Sequence, residues 1–280
     1  MNIISSTEEI QRLSMEWKRN GDKIAFVPTM GALHEGHLSL MKLGRKLADR
    51  LVVSIFVNPL QFGRNEDLDK YPRNIDEDSK KVGATGADII FLPTTETMYP
   101  AGHQTYVEVT NATKGLCGDS RPAHFKGVTT IVTKLFNIIM PNKAIFGEKD
   151  YQQLAVIRQM AKDLNMPVEI VGSPTIREKD GLAMSSRNAY LSDKERSAAT
   201  EIYKSMNQVK ELVKNGERDT KNLCNVVKGI IEGANILKTD YIKICNSETL
   251  EELAQAQPPA RLLIAVFAGK TRLIDNSHLL

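Results

Sequence analysis

The sequence has few cysteines, little net charge and no long apolar run, and each shortage excludes a class of protein. Three cysteines in 280 residues lack the paired spacing of a zinc site and are too few for a disulfide framework, which fits a reducing cytosol. A formal net charge of +3 is too small to indicate nucleic-acid or membrane-surface binding. No apolar run approaches the about 18 to 20 residues of a membrane span, and the first twenty residues are polar and charged, unlike a signal peptide. We therefore expect a cytoplasmic protein with no nucleic-acid or membrane partner.

Short apolar runs alternate with helical patterns from residue 24 to about residue 172, which predicts repeated βαβ units. The predicted strands are 24–29, 51–57, 88–92, 144–146 and 168–171, and the predicted helices are 36–50, 74–84, 127–139 and 150–164. The predicted fold class is α/β, with a Rossmann-like, doubly wound parallel sheet in a nucleotide-binding domain of residues 1–176.

The pattern changes after residue 176. Two charged helical stretches, at about 193–215 and 219–236, precede β-like runs at 241–245, 262–268 and 271–274. Ala268, Gly269 and Lys270 between the last two runs predict a hairpin turn. We predict a smaller α+β carboxy-terminal domain over residues 177–280, which is expected to cover the active site.

The segment 28–37 (Pro-Thr-Met-Gly-Ala-Leu-His-Glu-Gly-His) follows the first predicted strand and leads into a helical pattern. His34 and His37 are three residues apart, so both imidazoles lie on one side of the first helical turn. We expect the main-chain N–H groups of that turn to have no partners inside the helix and to bind phosphate with help from the helix dipole. Gly31 and Gly36 let an anion approach the main chain closely. The segment thus indicates nucleotide phosphate binding.

Metal binding by the same two histidines is one alternative, and a pair of satisfied surface histidines is another. The remaining histidines, at positions 103, 124 and 278, are scattered along the chain, and the cysteines supply no companion ligands. Polar segments elsewhere in the chain favour the phosphate interpretation.

Polar side chains also follow the second and fourth predicted strands, in residues 58–64 and 147–150. The carboxyl ends of parallel strands share one edge of the sheet, where ligands of doubly wound sheets bind. Asn58 and Gln61 carry amides that can hold a hydroxyl, carbonyl or carboxylate group, although a simple Asx-Pro turn is the alternative.

The segment 146–153 (Phe-Gly-Glu-Lys-Asp-Tyr-Gln-Gln) repeats the order of strand, glycine and helix. Lys149 is suited to phosphate, Asp150 to a helix cap and a ribose hydroxyl, and Gln153 lies one turn further on. A solvated, charged helix start is the alternative.

The segment 183–188 (Ala-Met-Ser-Ser-Arg-Asn) follows a turn at Gly181. Two serine hydroxyls and an arginine are suited to donate hydrogen bonds to the charged oxygens of a triphosphate during nucleotidyl transfer. A surface helix cap is the alternative.

Taken together, these segments resemble the HIGH-motif nucleotidyltransferase superfamily, which includes the class I aminoacyl-tRNA synthetases. Four segments in this order, 28–37, 56–62, 146–153 and 184–188, are similar over nearly the full length to the pantothenate synthetase (pantoate-beta-alanine ligase) family. The resemblance implies an AMP-forming ligase that condenses (R)-pantoate with beta-alanine through pantoyl adenylate, in the pathway to coenzyme A. It implies no protein nucleophile, so catalysis would come from orientation and charge stabilisation.

The resemblance also implies roles for individual residues. The implied ATP site consists of Met30, Gly31, Ala32, Leu33, His34, Glu35, Gly36, His37, Gly147, Glu148, Lys149, Asp150, Ile176, Met184, Ser185, Ser186 and Arg187. The implied catalytic residues are His37 (as proton donor), His34, Lys149 and Arg187. The implied substrate residues are Gln61 for pantoate and beta-alanine and Gln153 for pantoate, with Asn58 and Tyr71 as weaker neighbours.

Magnesium is expected on the ATP phosphates without an assigned protein ligand, Asp88 being a candidate only, and the family is typically a homodimer. Residues 111–127 contain glycines and several donors, which suggests a mobile flap, with Arg121 as a candidate phosphate contact. Two other functions stay open from the residues alone. They are another adenylyltransferase of the same superfamily and a nucleotide-binding regulatory module.

Overall fold

The structure is a computed structural model and describes residues 1–63, 66 and 68–280. Arg64, the last residue of the polar segment after the second predicted strand, lies outside the described residues. The chain forms two compact units. The first unit comprises Met1–Glu148 and Val156–Pro174, and the second comprises Lys149–Ala155 and Thr175–Leu280. The predicted domain boundary between residues 176 and 177 stays a prediction.

The first unit is built on a parallel sheet with the strand order β1-β4-β3-β2-β5-β6. Its strands are β1 (Asn2–Ile4), β2 (Ile24–Thr29), β3 (Arg50–Ile55), β4 (Ile89–Phe91), β5 (Lys143–Gly147) and β6 (Glu169–Ser173). The chain order reverses at β2, because β3 lies on one side of it and β5 on the other. This reversal confirms the predicted doubly wound sheet.

Helices connect these strands. They are α1 (Thr7–Arg19), α2 (Glu35–Leu47), α3 (Ile75–Gly83), α4 (Thr95–Met98), α5 (Cys117–Ser120), α6 (His124–Ile139) and α7 (Tyr151–Asp163). Helix α7 begins in the second unit and continues in the first. The sequence patterns predicted α2, α3, α6 and α7, and they did not predict β1 or α1.

The alternation of side chains along β2 explains why helices cover both faces of this sheet. Ala25 and Val27 belong to the core that includes Met41 of α2. Phe26 points to the opposite face, where its ring meets Phe136 of α6 edge to face at a centroid distance of 6.4 Å. All of these residues are buried. With both faces covered, the functional side chains of this unit are confined to the ends of the strands.

The second unit contains α8 (Asp193–Ala198), α9 (Thr200–Lys214) and α10 (Thr220–Gly233), followed by β7 (Leu237–Asn246), β8 (Ala260–Ala268) and β9 (Thr271–His278). The three strands form an antiparallel sheet in the order β7-β8-β9. Ala268 pairs with Thr271, so Gly269 and Lys270 form the predicted hairpin turn. The single helix predicted at about 193–215 is wrong in one respect, because Ala199 separates α8 from α9.

Helices α9 and α10 pack on one face of the antiparallel sheet. Val209 of α9, Val227 of α10 and Ile264 of β8 are fully buried in the same apolar cluster. Among the described residues, no helix combines the length and the apolar composition needed to cross a membrane.

Candidate functional site

The loop after β2 brings His34 and His37 together at the start of α2. His34 is the N-cap residue, with an extended backbone (φ −130°, ψ 175°). Its Nδ1 accepts a hydrogen bond from the Gly36 N–H at 3.1 Å, and the His37 Nδ1 accepts one from the His34 N–H at 3.4 Å. The two ring centroids are 4.1 Å apart. The histidine pair therefore forms a capping box for α2 and holds both rings at one end of the helix.

These bonds correct one expectation about the phosphate site. The Gly36 N–H donates to the His34 ring, and the His37 N–H donates to the His34 carbonyl oxygen at 2.8 Å. The prediction that the N–H groups of this turn have no partner inside the helix is therefore wrong for His37, whereas the partner of the Gly36 N–H is a side chain. Each Nδ1 is an acceptor, so in the neutral ring the proton is on Nε2. The imidazole Nε2–H groups, rather than main-chain N–H groups, are the phosphate donors that this arrangement supports.

Asp78 of α3 holds the loop that precedes His34. Its buried carboxylate accepts hydrogen bonds from the N–H groups of Ala32 and Leu33, each at 2.9 Å. Lys81, on the next turn of α3, donates to the Leu33 carbonyl oxygen at 2.8 Å. Gly31 has a φ of +87°, and a Cβ there would lie 3.0 Å from Asp78 Oδ2. Asp78 and Lys81 were not predicted, because α3 carries several charged residues and nothing local distinguishes these two.

Asn58 lies after β3 and is fully engaged within the protein. Its Oδ1 accepts hydrogen bonds from the Tyr99 hydroxyl at 2.7 Å and the Leu60 N–H at 3.3 Å. Its Nδ2 donates to Gln61 Oε1 and to the Gly127 carbonyl oxygen, each at 3.1 Å. A primary amide has two donors and two acceptor lone pairs, and all are used here. Asn58 therefore orients Gln61, and its assignment as a weaker substrate neighbour stays a prediction.

Tyr99 supports this arrangement from α4's carboxyl end. Burial raises the pKa of its hydroxyl well above the usual value of 10.0, so the group stays protonated and donates to Asn58.

Gln61 connects two of the predicted segments. Gln61 is the last residue of the short 3-10 helix Pro59–Gln61. Its side-chain Nε2 donates a hydrogen bond to the Met30 sulfur at 2.9 Å. Its carbonyl oxygen accepts from His124 Nδ1 at 2.8 Å. The structure thus places the predicted pantoate residue beside the first residue of the predicted ATP loop. Tyr71, the other predicted substrate neighbour, is buried. Its ring packs against the ring of Phe62, with the two centroids 6.0 Å apart.

Arg121 does not have the position expected of a phosphate contact. Its guanidinium donates to both carboxylate oxygens of Glu66, at 2.8 and 2.6 Å, and to the Gln61 carbonyl oxygen at 3.3 Å. Burial by itself raises the pKa of Glu66, but the hydrogen bonds and positive charge of Arg121 outweigh it and lower that pKa below the usual 4.5. Arg121 therefore fixes the main chain of Gln61.

Gly147 ends β5, which lies beside β2, so it is at the same edge of the sheet as the loop of His34. Glu148, the next residue, ends the stretch Met1–Glu148 of the first unit.

Asp88, the candidate magnesium contact, lies at the opposite edge of the sheet, at the amino end of β4. There it pairs with Arg45 at 2.9 Å and accepts a hydrogen bond from the Leu51 N–H at 2.7 Å. This position does not support a magnesium contact near the phosphates. No group of three or more metal-ligating side chains occurs within residues 1–63, 66 and 68–280.

The second unit contains the remaining predicted residues. Lys149 and Asp150 lie in the 3-10 turn Glu148–Asp150, with Lys149 Nζ 3.8 Å from Asp150 Oδ2. Gln153 is half-buried in the first turn of α7. The Lys149 carbonyl oxygen accepts from Asn276 Nδ2 at 2.9 Å, so β9 fixes the main chain of this segment.

Ile176 and Met184 are neighbours across a tight hairpin. The Met184 N–H donates to the Ile176 carbonyl oxygen at 3.0 Å, and Arg177 pairs with Ala183 as an antiparallel bridge. Beyond the hairpin, Ser185 Oγ accepts from the Arg187 N–H at 3.3 Å and caps the 3-10 helix Ser186–Tyr190. The hairpin therefore fixes the main chain at Met184, where the predicted segment 184–187 begins.

Two cysteines of the second unit are unsuited to nucleophilic chemistry. Burial raises the pKa of the Cys224 thiol to about 11 and that of the Cys245 thiol to about 12. Both thiols are therefore protonated at neutral pH, and the thiolate is the reactive form.

Comparison with known proteins gives matches over the whole chain. A family model described as Pantoate-beta-alanine ligase matches residues 2–278. A pantothenate synthetase from Syntrophotalea carbinolica is 53% identical over 280 residues, with 100% of this chain and 99% of the relative covered. A pantothenate synthetase from Geobacter sulfurreducens is 54% identical over 276 residues, with 99% of this chain and 98% of the relative covered.

Solved structures give the same result. The crystal structure of pantothenate synthetase from Thermus thermophilus is 40% identical, with a TM-score of 0.94, and the match covers 100% of this chain and 99% of that one. A pantoate-beta-alanine ligase from Francisella tularensis, complexed with beta-gamma ATP and beta-alanine, is 34% identical with a TM-score of 0.81, and the match covers 99% and 97% of the two chains. The similarity therefore extends over both units.

Proposed function

This chain belongs to the pantoate-beta-alanine ligase family, and from that membership we propose how its residues carry out the family's reaction. The enzyme condenses pantoate with beta-alanine, using ATP, and releases pantothenate, AMP and diphosphate. The observation that carries the residue assignments is the contact between Gln61 Nε2 and the Met30 sulfur at 2.9 Å, because it joins the pantoate segment to the ATP loop within the first unit.

In the first step, a carboxylate oxygen of pantoate attacks the α-phosphorus of ATP. The bond between that phosphorus and the bridging oxygen breaks, and diphosphate leaves with the bonding electrons. Gln61 orients pantoate, and its present partner, the Met30 thioether, is a weak acceptor that a substrate oxygen can replace with a gain in hydrogen-bond strength. Holding the two reactants in line supplies much of the rate enhancement.

His34 and His37 stabilise the negative charge that develops on the phosphoryl oxygens. Their Nδ1 atoms accept main-chain hydrogen bonds, which keeps the proton on Nε2 in the neutral ring. The proposed donor is His37 Nε2–H. A positioned donor of this kind is typically worth about a hundredfold or more in rate.

The second unit contains the other residues that are assigned to ATP. Lys149 and Arg187 contribute positive charge to the phosphates, Ser185 and Ser186 contribute hydroxyl donors, and the Ile176 main chain contacts adenine. Gln153 is assigned to pantoate. These assignments rest on the match of the segments at 146–153 and 184–188 to the family.

In the second step, the amine of beta-alanine attacks the carbonyl carbon of pantoyl adenylate. The amide bond forms, the bond to the AMP oxygen breaks, and the amine loses a proton. No protein side chain becomes covalently attached, which agrees with the high pKa of the buried thiols of Cys224 and Cys245.

Magnesium fits this chemistry as a companion of the nucleotide. Mg²⁺ at such sites is held by substrate phosphates, water and one or two carboxylates, so a dedicated protein cage is not needed. When bound, Mg²⁺ would neutralise part of the negative charge of the phosphates. We also propose that the enzyme is cytoplasmic, as its cysteine content suggests, and that it is a homodimer, as the family resemblance implies.

The route is tested by following oxygen-18 from the carboxylate of labelled pantoate. Diphosphate release is measured with ATP and magnesium, first with pantoate alone and then with beta-alanine added. We expect one labelled oxygen in AMP and multiple turnovers only when both acids are present. Absence of pantoate-dependent diphosphate release, or AMP without the label, would contradict the proposed route.

A further inference from the structure

We propose that Asp275 and Asn276, consecutive residues of β9, are positioning residues for the two ATP-binding segments of the second unit. This inference rests on the proposed function, because it assumes that the segments around Lys149 and at 184–187 bind ATP. Successive side chains of a strand point to opposite faces of the sheet. One short stretch of β9 can therefore hold one segment on each face.

Asp275 fixes the hairpin that leads to residues 184–187. Its carboxylate, 3% exposed, accepts two hydrogen bonds from the Arg177 guanidinium at 2.6 and 2.9 Å. Arg177 also donates to the Gly181 carbonyl oxygen at 3.0 Å, at the tip of the same hairpin. A bidentate arginine-carboxylate pair fixes orientation as well as distance.

The ring of Tyr203 in α9 completes the support of this hairpin. The Arg177 guanidinium lies over the ring at 4.5 Å from its centroid. Gly181 has a φ of +96°, and a Cβ there would lie 2.0 Å from the Tyr203 ring. The hairpin thus packs against α9 on one side and is hydrogen-bonded to β9 through Arg177 and Asp275.

Asn276 fixes the main chain at Lys149. Its Nδ2 donates to the Lys149 carbonyl oxygen at 2.9 Å, and its Oδ1 accepts from Arg261 at 2.5 Å. The Arg261 guanidinium in turn lies 3.7 Å from the centroid of the Tyr151 ring, two residues after Lys149. Asn276 and Arg261 are both less than one-tenth exposed. The segment that includes Lys149 is therefore anchored to β8 and β9 through its main chain and through an aromatic ring.

The two anchors share one strand and are linked to each other. The Asn276 N–H donates to Asp275 Oδ1 at 2.8 Å, so the carboxylate that holds Arg177 also contacts the residue that holds Lys149. Neither Asp275 nor Asn276 is assigned to a substrate. Their expected effect on the reaction is indirect, through the placement of Lys149 and of residues 184–187.

The test uses Asn276→Asp and Asp275→Asn. The first keeps an acceptor for Arg261 and removes the donor to Lys149, and the second keeps one acceptor for Arg177 and removes the charge and the bidentate geometry. The matched control for Asp275→Asn is Asp240→Asn, which weakens another Arg–Asp pair of the same sheet, with Arg272 at 2.8 Å. The control for Asn276→Asp is Ser277→Ala, in the next position of β9.

Three quantities are measured for each full-length variant: the affinity for a non-hydrolysable ATP analogue with magnesium, the single-turnover rate of adenylate formation, and the rate at which beta-alanine consumes preformed pantoyl adenylate. We expect both test variants to lose about tenfold in nucleotide affinity or adenylation rate, with less than a twofold change in the beta-alanine step. Both controls should match the wild type in all three.

A merely structural role predicts a different result. The rates of both half-reactions would then decrease in proportion to the fraction of folded protein, which thermal unfolding measures. That result, or test variants indistinguishable from their controls, would overturn the proposal. If the wild type forms no pantoyl adenylate, the proposed function fails instead, and the nucleotide affinities alone still decide the positioning role.

Discussion

The side chains of the site differ in how much of their hydrogen-bonding capacity is used within the protein. Asn58 uses both amide hydrogens and both lone pairs of its oxygen, which makes it a support. Gln61 uses its Nε2 on the Met30 thioether, a weak acceptor that substrate can replace. The count of donors and acceptors therefore supports the proposal that Gln61 binds pantoate while Asn58 orients it.

Replacement of His37 or Lys149 tests the assigned phosphate contacts. We expect His37→Ala and Lys149→Ala each to lower the single-turnover rate of adenylate formation at least tenfold, a loss of about 1.4 kcal/mol or more of transition-state stabilisation. Quenched-flow measurement of diphosphate provides the rate. Lys214→Ala, on the exposed face of α9, is the control for loss of a lysine. Unchanged adenylation in both variants would remove the assigned roles.

Gln61→Ala separates pantoate from ATP. Removal of the amide should raise the KM for pantoate more than the KM for ATP, because pantoate and beta-alanine, but not ATP, are assigned to this side chain. Initial rates with each substrate varied in turn give both constants. Equal weakening of the two substrates would instead indicate that the site had collapsed.

Glu66→Gln tests the tie between Glu66 and Arg121 through its pH dependence. The folded-state pKa of Glu66 is lowered from its usual value of 4.5, so its stabilising contribution is fully present above that value and is lost as the pH falls through the folded-state pKa. We expect Glu66→Gln to be less stable than the wild type at pH 7 by about 1 kcal/mol, and the difference to shrink in acid. Denaturant unfolding at a series of pH values measures it. A difference that is the same at every pH, or no larger than that of the exposed-site control Glu211→Gln, would contradict the ion-pair explanation.

At the scale of elements, the site depends on how closely α6 approaches the 3-10 helix Pro59–Gln61. Gly127 makes this approach possible, because a Cβ there would lie 2.3 Å from the Leu60 carbonyl oxygen and 2.7 Å from the Gln61 nitrogen. Both neighbours are main-chain atoms, which cannot rotate away as a flexible side chain can. Helix α6 thus sets the position of the segment that includes Gln61.

Gly127→Ala should therefore lower stability and weaken pantoate binding together. We expect a loss of about 1 to 3 kcal/mol in the free energy of unfolding, as for other overpacked sites, and a raised KM for pantoate. Gly229→Ala in α10 is the matched control, since no atom lies within 4 Å of the added Cβ. That variant should gain about 0.5 to 1 kcal/mol from its better helix propensity. Similar stability for the two variants would contradict the close approach of Gly127 to the main chain of Leu60 and Gln61.

The local patterns predicted the elements better than they predicted the contacts between them. Apolar runs identified β2 to β6 because a strand buried on both faces needs consecutive apolar residues. Strand β1 was not identified, because polar Asn2 and Ser5 leave an apolar run of only two residues, Ile3 and Ile4. Ala199 divides the helix predicted at 193–215 while keeping helical angles of φ −58° and ψ −21°, so no break residue announces the division.

At the scale of the whole molecule, the proposed assembly is a homodimer. We expect light scattering after size-exclusion chromatography to give twice the mass of one chain, with the share of single chains rising on dilution. The mass of one chain at every concentration would contradict the proposed homodimer.

The sequence by itself determined the alternation of strands and helices from β2 to β6 and the family, because these depend on short-range periodicity and on contiguous motifs. Only the tertiary structure decided which residues support the predicted site segments. Asp78 reaches Ala32 across 46 positions, and Asp275 reaches Arg177 across 98. Such hydrogen bonds form because packing brings distant main chains and carboxylates together, and no local pattern encodes the partner of a single aspartate. For the same reason the structure, and not the motif, showed that the N–H groups of Gly36 and His37 are already bonded within the protein.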